Sequence, residues 1–276
     1  MRIAITGGNG FIGKFFLNYV ARNKKIKIIN LYNKKSFRHP RVKNIQLDLR
    51  KKLKKNLFIK IGSPEYLVHL AWDKLDDYDS RHHNKIFKYN LEFFNKLYGC
   101  GIKKIFIMGT CAEYGKRNGE LKETFKTKPL NNYGKAKDKL KKSLFNFFKN
   151  DKTIILWGRL FYVYGKDQKS TTVYGQLSNA IKSRTKVFNM TKGDQIRDYL
   201  NVKDVSKIIY KILINSKKSE VINICSGNPI SLKSHVKKWI KNKACKLKIN
   251  YGFYKNSNKE IKRFWGSTKK LNKLLV

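Results

Sequence analysis

Acidic side chains are scarce in this chain: 18 Asp and Glu stand against 63 Lys and Arg in 276 residues, leaving a formal net charge of +45. Proline and cysteine are scarcer still, at four each. No apolar run approaches the roughly 20 residues that span a bilayer, so no membrane insertion is expected. Cys100, Cys111, Cys225 and Cys245 form no CxxC pair and no Cys/His cluster at zinc spacing. No metal site is expected, and lone cysteines fit a reducing cytoplasm. The segment Met1 to Thr6 runs into a glycine-rich turn and does not read as an export signal. Repeats and low-complexity tracts are missing, which excludes collagen-like and coiled-coil classes.

Apolar residues make up 41 % and aromatics 13 %, enough for a full core. The positive charge invites a nucleic-acid reading. It is carried by 52 Lys and only 11 Arg, whereas base readout and bidentate phosphate contacts favour Arg. With Asn, Ile, Phe and Tyr also abundant, compositional drift is the better reading, and no specific nucleic-acid partner is expected. The pair His82-His83, set in a charged stretch, reads as solvated surface.

Strand and helix patterns alternate through the first half. Arg2–Thr6, Ile26–Leu31, Ile45–Leu47, Tyr66–Leu70, Lys104–Met108 and Thr153–Trp157 read as strands. Phe11–Ala21, Ile86–Leu97 and Asn132–Lys149 read as helices, the first with Phe11, Ile12, Phe15, Phe16, Tyr19 and Val20 at helical spacing. Such alternation predicts an α/β fold: a Rossmann-type doubly wound parallel sheet. The second half is less regular. Lys166–Arg184 turns helical, Arg197–Val202 is extended, Val205–Ile214 and Ser231–Lys241 are helices, and Val221–Ile224 is a strand. The last 35 residues are poorly patterned. Without a clean linker, a small interleaved α/β substrate lobe (166–196 and 229–276) is expected beside the dinucleotide-binding part (1–165 and 197–228).

Between the first strand and helix lies Thr6-Gly7-Gly8-Asn9-Gly10-Phe11-Ile12-Gly13. Gly7 permits the tight turn, Gly10 close approach of a pyrophosphate, and Gly13 helix-on-strand packing. The amides at the helix start receive negative charge. A dinucleotide cofactor is therefore predicted, contacted by Gly7, Asn9, Gly10, Phe11, Ile12 and Gly13. An acidic residue after the second strand would bind the adenosine ribose hydroxyls. Here Asn33 and Lys34 stand there without a carboxylate, which favours NADP(H) while leaving NAD(H) open. Asp48, with Leu49 behind the third strand, is placed to accept from an adenine amino group.

Tyr133 and Lys137 lie four apart on one helix face. A phenol with a free pKa of about 10 exchanges protons near neutrality only with help, which an ammonium and a nicotinamide ring give. Thr110, ending the fifth strand, can hold a substrate oxygen beside Tyr133.

With these motifs the chain resembles the extended short-chain dehydrogenase/reductases, of the nucleotide-sugar epimerase/dehydratase/reductase branch. Thr6–Gly13 is similar to the cofactor turn of that family, and His69-Leu70-Ala71-Trp72 to its fourth-strand segment lining the cofactor. Gly109–Gly115 resembles the hydroxyl-bearing segment, and Arg159–Gly165 the segment after the sixth strand. Arg197-Asp198-Tyr199 through Asp204-Val205 resembles the segment whose Arg grips the sugar nucleotide's diphosphate, and Asn223–Gly227 the next strand and turn. The resemblance adds Leu70, Ala71, Trp72, Met108 and Phe161 to the cofactor residues. Trp72, Cys111, Glu113, Tyr162 and Arg197 become candidate substrate residues. Thr110, Tyr133 and Lys137 become the catalytic set, with Tyr133 and Lys137 also touching cofactor. A homodimer through the helices Ile86–Leu97 and Asn132–Lys149 is implied.

A narrower similarity, in GTCAEYG, RLFYVYG, GDQIRDYL, CSGNPIS and FWG, points to bacterial 4-ketosugar reductases of the dTDP-6-deoxy-L-talose 4-dehydrogenase type. It implies NADPH-dependent reduction at C4 of a dTDP- or CDP-linked 4-keto-6-deoxyhexose for surface polysaccharide. The family's 4,6-dehydratases carry an Asp-Glu pair where this chain has Cys111 and Ala112. Dehydration needs that acid and base, so it is not expected. Tyr162 stands where many epimerases have Asn, and Lys166 where they have Pro. A C4 epimerase with retained NAD is the alternative, and a non-catalytic basic binding protein on this fold the lesser one.

Overall fold

A computed structural model describes residues 1–241, 246–255 and 261–276. Cys245 and parts of the expected 229–276 lobe lie outside them. The first half runs β1 (Arg2–Thr6), α1 (Phe11–Val20), β2 (Lys27–Tyr32), β3 (Val42–Gln46), α2 (Leu57–Lys60), β4 (Tyr66–His69), α3 (His82–Asn95) and β5 (Lys104–Thr110). A 3-10 turn (Cys111–Tyr114), β6 (Gly119–Leu121), α4 (Asn132–Phe147), β7 (Ile154–Leu160) and β8 (Tyr162–Tyr164) follow. The remainder is α5 (Val173–Lys182), β9 (Val187–Met190), β10 (Ile196–Asn201), α6 (Val202–Asn215), β11 (Glu220–Ile224), β12 (Pro229–Ser231), α7 (Leu232–Lys241), β13 (Lys248–Tyr251), β14 (Phe264–Gly266) and α8 (Lys269–Leu275).

Seven strands form one parallel sheet in the order β11-β7-β5-β4-β1-β2-β3. Both faces are covered because its strands are apolar on both sides. In β1, Ile3 and Ile5 join the core under α1 and α6, while Ala4 joins the core under α3 and α4. In β5, Phe106 and Met108 take the first side and Ile105 and Ile107 the second. This is the predicted doubly wound α/β fold. The chain reverses direction of travel between β1 and β4, and ligands bind beyond the carboxyl ends of strands at such a point.

Short sheets lie outside the large one. β10 pairs with β8 and β12, β9 with β13, and β6 with β14. A separate apolar cluster of Leu177, Phe188, Met190, Leu232, Val236 and Leu247 joins α5, β9 and α7. The tail is more ordered than its pattern suggests: Phe264–Gly266 forms a strand against Gly119–Leu121, and α8 buries Leu271 against the first core. A three-residue strand whose partner lies far away in sequence carries no local periodicity to detect.

Candidate active site

The turn after β1 is built on glycine. Gly7 has φ +72° and a Cβ there would meet Ala71 N at 2.6 Å; a Cβ on Gly13 would lie 2.1 Å from the Gly7 carbonyl oxygen. Gly10 caps α1 without a side chain, so the first amides of the helix stay open to an anion. Asn9 donates to the Lys35 carbonyl, while its buried Oδ1 has no partner among the described residues. This cradle fits the diphosphate of a dinucleotide.

At the end of β2 stands Asn33, and beyond β3 Asp48 is held by Arg50. The guanidinium donates from Nε and Nη2 to the two carboxylate oxygens at 2.9 and 2.8 Å. Those bonds hold the Asp48 carboxyl below its ordinary pKa. With its side-chain amide turned to suit both neighbours, Asn33 closes the triangle, its oxygen 3.1 Å from Arg50 Nη2 and its nitrogen 3.3 Å from Asp48 Oδ2. Beside it opens a cavity of about 250 Å³ lined by Asn33, Asp48, Lys51, Lys52, Lys54 and Lys60. Lys34 is exposed next to this group and Leu49 is half-buried. Arg50 is a residue that sequence reasoning passed over.

The second group of expected site residues is buried. Thr110 ends β5, and its hydroxyl accepts from the Ala112 N–H at 3.2 Å. Tyr133 and Lys137 are buried on α4. Burial pushes the Tyr133 phenol well above its ordinary pKa, and the Thr110 hydroxyl beside it works the other way. Lys137 Nζ donates to the Met108 carbonyl at 2.7 Å and lies 3.8 Å from the centre of the Trp72 ring. Burial lowers its pKa to about 7. Leu70 and Ala71 run along the β1 edge, their N–H groups bonded to the Thr6 carbonyl and hydroxyl. The three expected catalytic residues and Trp72 thus converge.

Two further residues complete the group. The Tyr78 ring stacks on Tyr133 at 4.9 Å, and Tyr78 lies within electrostatic reach of Cys111 and Tyr162. His83 is fully buried against Trp72 and Tyr133, which corrects its reading as solvated surface. Its signal was present: His83, Ile86, Phe87, Asn90, Phe93 and Phe94 form one buried stripe at helical spacing, and of the two histidines His82 falls off it.

Other expected site residues are placed differently. Glu113 is 0 % exposed. Its Oε1 accepts from the Thr110 N–H at 3.0 Å and the Trp157 indole at 2.8 Å, and its Oε2 from Arg159 Nε at 2.9 Å. With both oxygens engaged inside the protein, it braces Thr110 from behind and does not line a sugar pocket; that expectation is corrected. The ring of Phe161 packs among Tyr114, Leu121, Cys225 and Phe264, which spends it on the core. Arg197 is buried with its guanidinium 4.7 Å from the Phe264 ring and 5.8 Å from Tyr162, donating to the Ile196 carbonyl. Tyr162 is half-exposed beside it, and burial raises the Cys111 thiol to about 12, so it stays protonated.

A strand-end hydroxyl, a buried phenol and a buried amine beside a glycine cradle is the equipment of a nicotinamide-dependent oxidoreductase. Residues 3–225 match the NAD dependent epimerase/dehydratase family. The chain belongs to that family. It is 28 % identical over 272 residues to the dTDP-6-deoxy-L-talose 4-dehydrogenase (NAD(+)) of Aggregatibacter actinomycetemcomitans, covering 97 % of this chain and 100 % of the relative. Its fold is shared with the UDP-N-acetylglucosamine 4-epimerase of Methanobrevibacter ruminantium M1 in complex with UDP-N-acetylmuramic acid. That TM-score is 0.82 at 21 % identity, over 100 % of this chain and 92 % of that one. The UDP-glucuronic acid 4-epimerase of Bacillus cereus in complex with NAD superposes with TM-score 0.79 at 21 % identity, over 100 % and 92 %. The chain is an NAD(P)-dependent enzyme of this epimerase/dehydratase family, and no helix among its described residues is long and apolar enough to cross a membrane.

Proposed function

We propose that this enzyme reduces the C4 ketone of a nucleotide-linked 4-keto-6-deoxyhexose, with dTDP or CDP as the nucleotide and NADPH as the reductant. The observation that carries the reading is the buried Thr110, Tyr133 and Lys137 group followed by Cys111 and Ala112, which offer no acid and base for dehydration. The name of the Aggregatibacter relative, a 4-dehydrogenase of a dTDP-6-deoxyhexose, supports the same reaction run in reverse. The absence of a carboxylate at Asn33 and the presence of Arg50 support NADPH.

A bound nicotinamide supplies the hydride. Gly7, Asn9, Gly10, Phe11, Ile12 and Gly13 would hold its diphosphate, and Asn33, Lys34, Asp48, Leu49 and Arg50 its adenosine end. Tyr133 gives its proton to the C4 oxygen as the ketone becomes an alcohol. Thr110 hydrogen-bonds that oxygen and fixes its distance from the phenol. Lys137 as an ammonium stabilises the phenolate left behind. The Glu113 carboxylate holds the Thr110 backbone through the N–H it accepts from. Trp72, Cys111, Tyr162 and Arg197 are assigned to the sugar-nucleotide side.

The reading includes a cytoplasmic setting and a homodimer through α3 and α4; the outward faces of those helices carry exposed Lys85, Lys88, Lys135, Lys139 and Lys142. The test is NADPH oxidation on addition of dTDP- and CDP-4-keto-6-deoxyhexoses. Turnover with at least one is expected, and none with any overturns the reading. A C4 epimerase with retained NAD is the second reading, favoured by the fold shared with 4-epimerases. It requires oxidised cofactor in the purified protein and product without added NADPH.

A further inference from the structure

Helix α3 opens with two histidines of different fate. His82 is half-buried, whereas His83 is 0 % exposed. The partners of His83 decide its tautomer. The Trp72 indole N–H, 3.2 Å from Nδ1, can only donate, so Nδ1 is the bare acceptor. The Asp77 carbonyl, 2.8 Å from Nε2, can only accept, so Nε2 carries the proton. One neutral imidazole therefore ties two segments together.

Each segment braces one member of the proton-transfer pair. On the Nδ1 side, the Trp72 ring presents its face to the Lys137 ammonium at 3.8 Å. On the Nε2 side, Asp77 precedes Tyr78, whose ring stacks on Tyr133 at 4.9 Å with 22° between planes. The Tyr78 carbonyl also accepts from the Tyr133 N–H at 2.9 Å. The His83 ring itself lies 5.4 Å from the Tyr133 ring. Besides the Met108 carbonyl and the nearby Glu113 carboxylate, the Trp72 face is a polarisable surface against the buried ammonium.

We propose that His83 is a positioning residue for the Tyr133–Lys137 pair: it fixes Trp72 against the Lys137 ammonium and anchors the 73–81 segment against Tyr133. The kinetic part of this proposal rests on the reductase reading above. His83→Phe keeps the ring volume and removes both polar partners. His83→Asn places an acceptor near Nδ1 and restores the Trp72 bond alone.

The direct probe is the indole region of a proton–nitrogen correlation spectrum, which holds four tryptophans. The Trp72 resonance is the one missing from Trp72→Phe. It is expected to move upfield in His83→Phe and to stay near its wild-type position in His83→Asn. In kinetics, kcat is expected to fall at least about tenfold in His83→Phe, as misplacement of a reacting group does. The KM for the sugar nucleotide and the Kd for NADPH stay within about twofold of wild type, and His83→Asn recovers most of kcat. An unmoved Trp72 resonance in His83→Phe overturns the proposal. So does an equal loss of kcat in both variants that tracks a loss of melting temperature. If wild-type protein turns over no 4-keto sugar nucleotide, the reductase reading falls; the indole spectrum then decides the positioning claim alone, a moved resonance supporting it and an unmoved one overturning it.

Discussion

The two ends of the cofactor cleft carry cations in opposite surroundings. At the catalytic end one lysine, Lys137, sits in a dry wall of Trp72, Met108 and Tyr133, and burial drives its pKa down to about 7. At the proposed adenosine end Lys51, Lys52, Lys54 and Lys60 line a cavity beside the exposed Asp48–Arg50 pair. Each charge there is screened and worth little alone. The contrast separates chemistry from capture. A single buried ammonium can change the acidity of its neighbour, while many exposed ones can only raise the local concentration of an anion.

Removing the phenol is the strongest way to test that division. Tyr133→Phe keeps the packing against Tyr78, Trp72 and His83 but deletes the proton donor. General acid catalysis contributes about 10²–10⁴-fold, so kcat is expected to fall by that range. NADPH affinity, followed by its fluorescence, is expected to stay unchanged. A variant that keeps turnover would show that the dry end does not carry the reaction.

The next effect is on pH. The ordinary lysine pKa of 10.5 is lowered by burial, so Lys137 in the free enzyme is an ammonium below about 7 and neutral above it. Tyr133 is shifted upward and stays protonated throughout that range. Reduction needs both protons in place, so kcat/KM is expected to be flat at low pH and to fall up to about tenfold per unit above about 7. Lys137→Arg cannot lose its proton there, so the limb should vanish even where the rate is lower. A limb that persists in that variant assigns the titration elsewhere.

What was legible in the sequence follows the same divide between local and distant. The glycine turn, Tyr133 with Lys137, and Thr110 at a strand end are short-range signals; the fold sets Gly7 against Leu70 and Ala71, and the adjoining Trp72 against Tyr133 and Lys137. Boundaries moved by a few residues: β3 begins at Val42, which is buried and pairs with Ile28, and α3 begins at His82, one residue before the buried His83. Contacts made at long range stayed hidden. Nothing near Glu113 announces that its carboxylate meets Trp157 and Arg159, 44 and 46 residues on. Strand β14 is invisible without β6. His83 was legible through its stripe, yet its polar neighbours in sequence outweighed the pattern.

The smallest expected effect lies at the wet end, and it turns on Arg50. This side chain is half-exposed and paired to Asp48, whose side chain is 13 % exposed and keeps Lys51 as a neighbouring cation when Arg50 is removed. On the proposed NADPH reading, its guanidinium is one cation beside Asn33, where a 2′-phosphate would arrive. Arg50→Gln is expected to weaken NADPH binding by about 1.5- to fivefold at low salt, the range of one screened charge contact. NADH binding should change little, and kcat at saturating NADPH should not change. Raising the ionic strength shortens the reach of every lysine around the cavity. Wild type and variant should then weaken together, and the gap between them should narrow. Equal losses for NADPH and NADH would instead make Arg50 a prop for Asp48, and the cofactor preference would need another source.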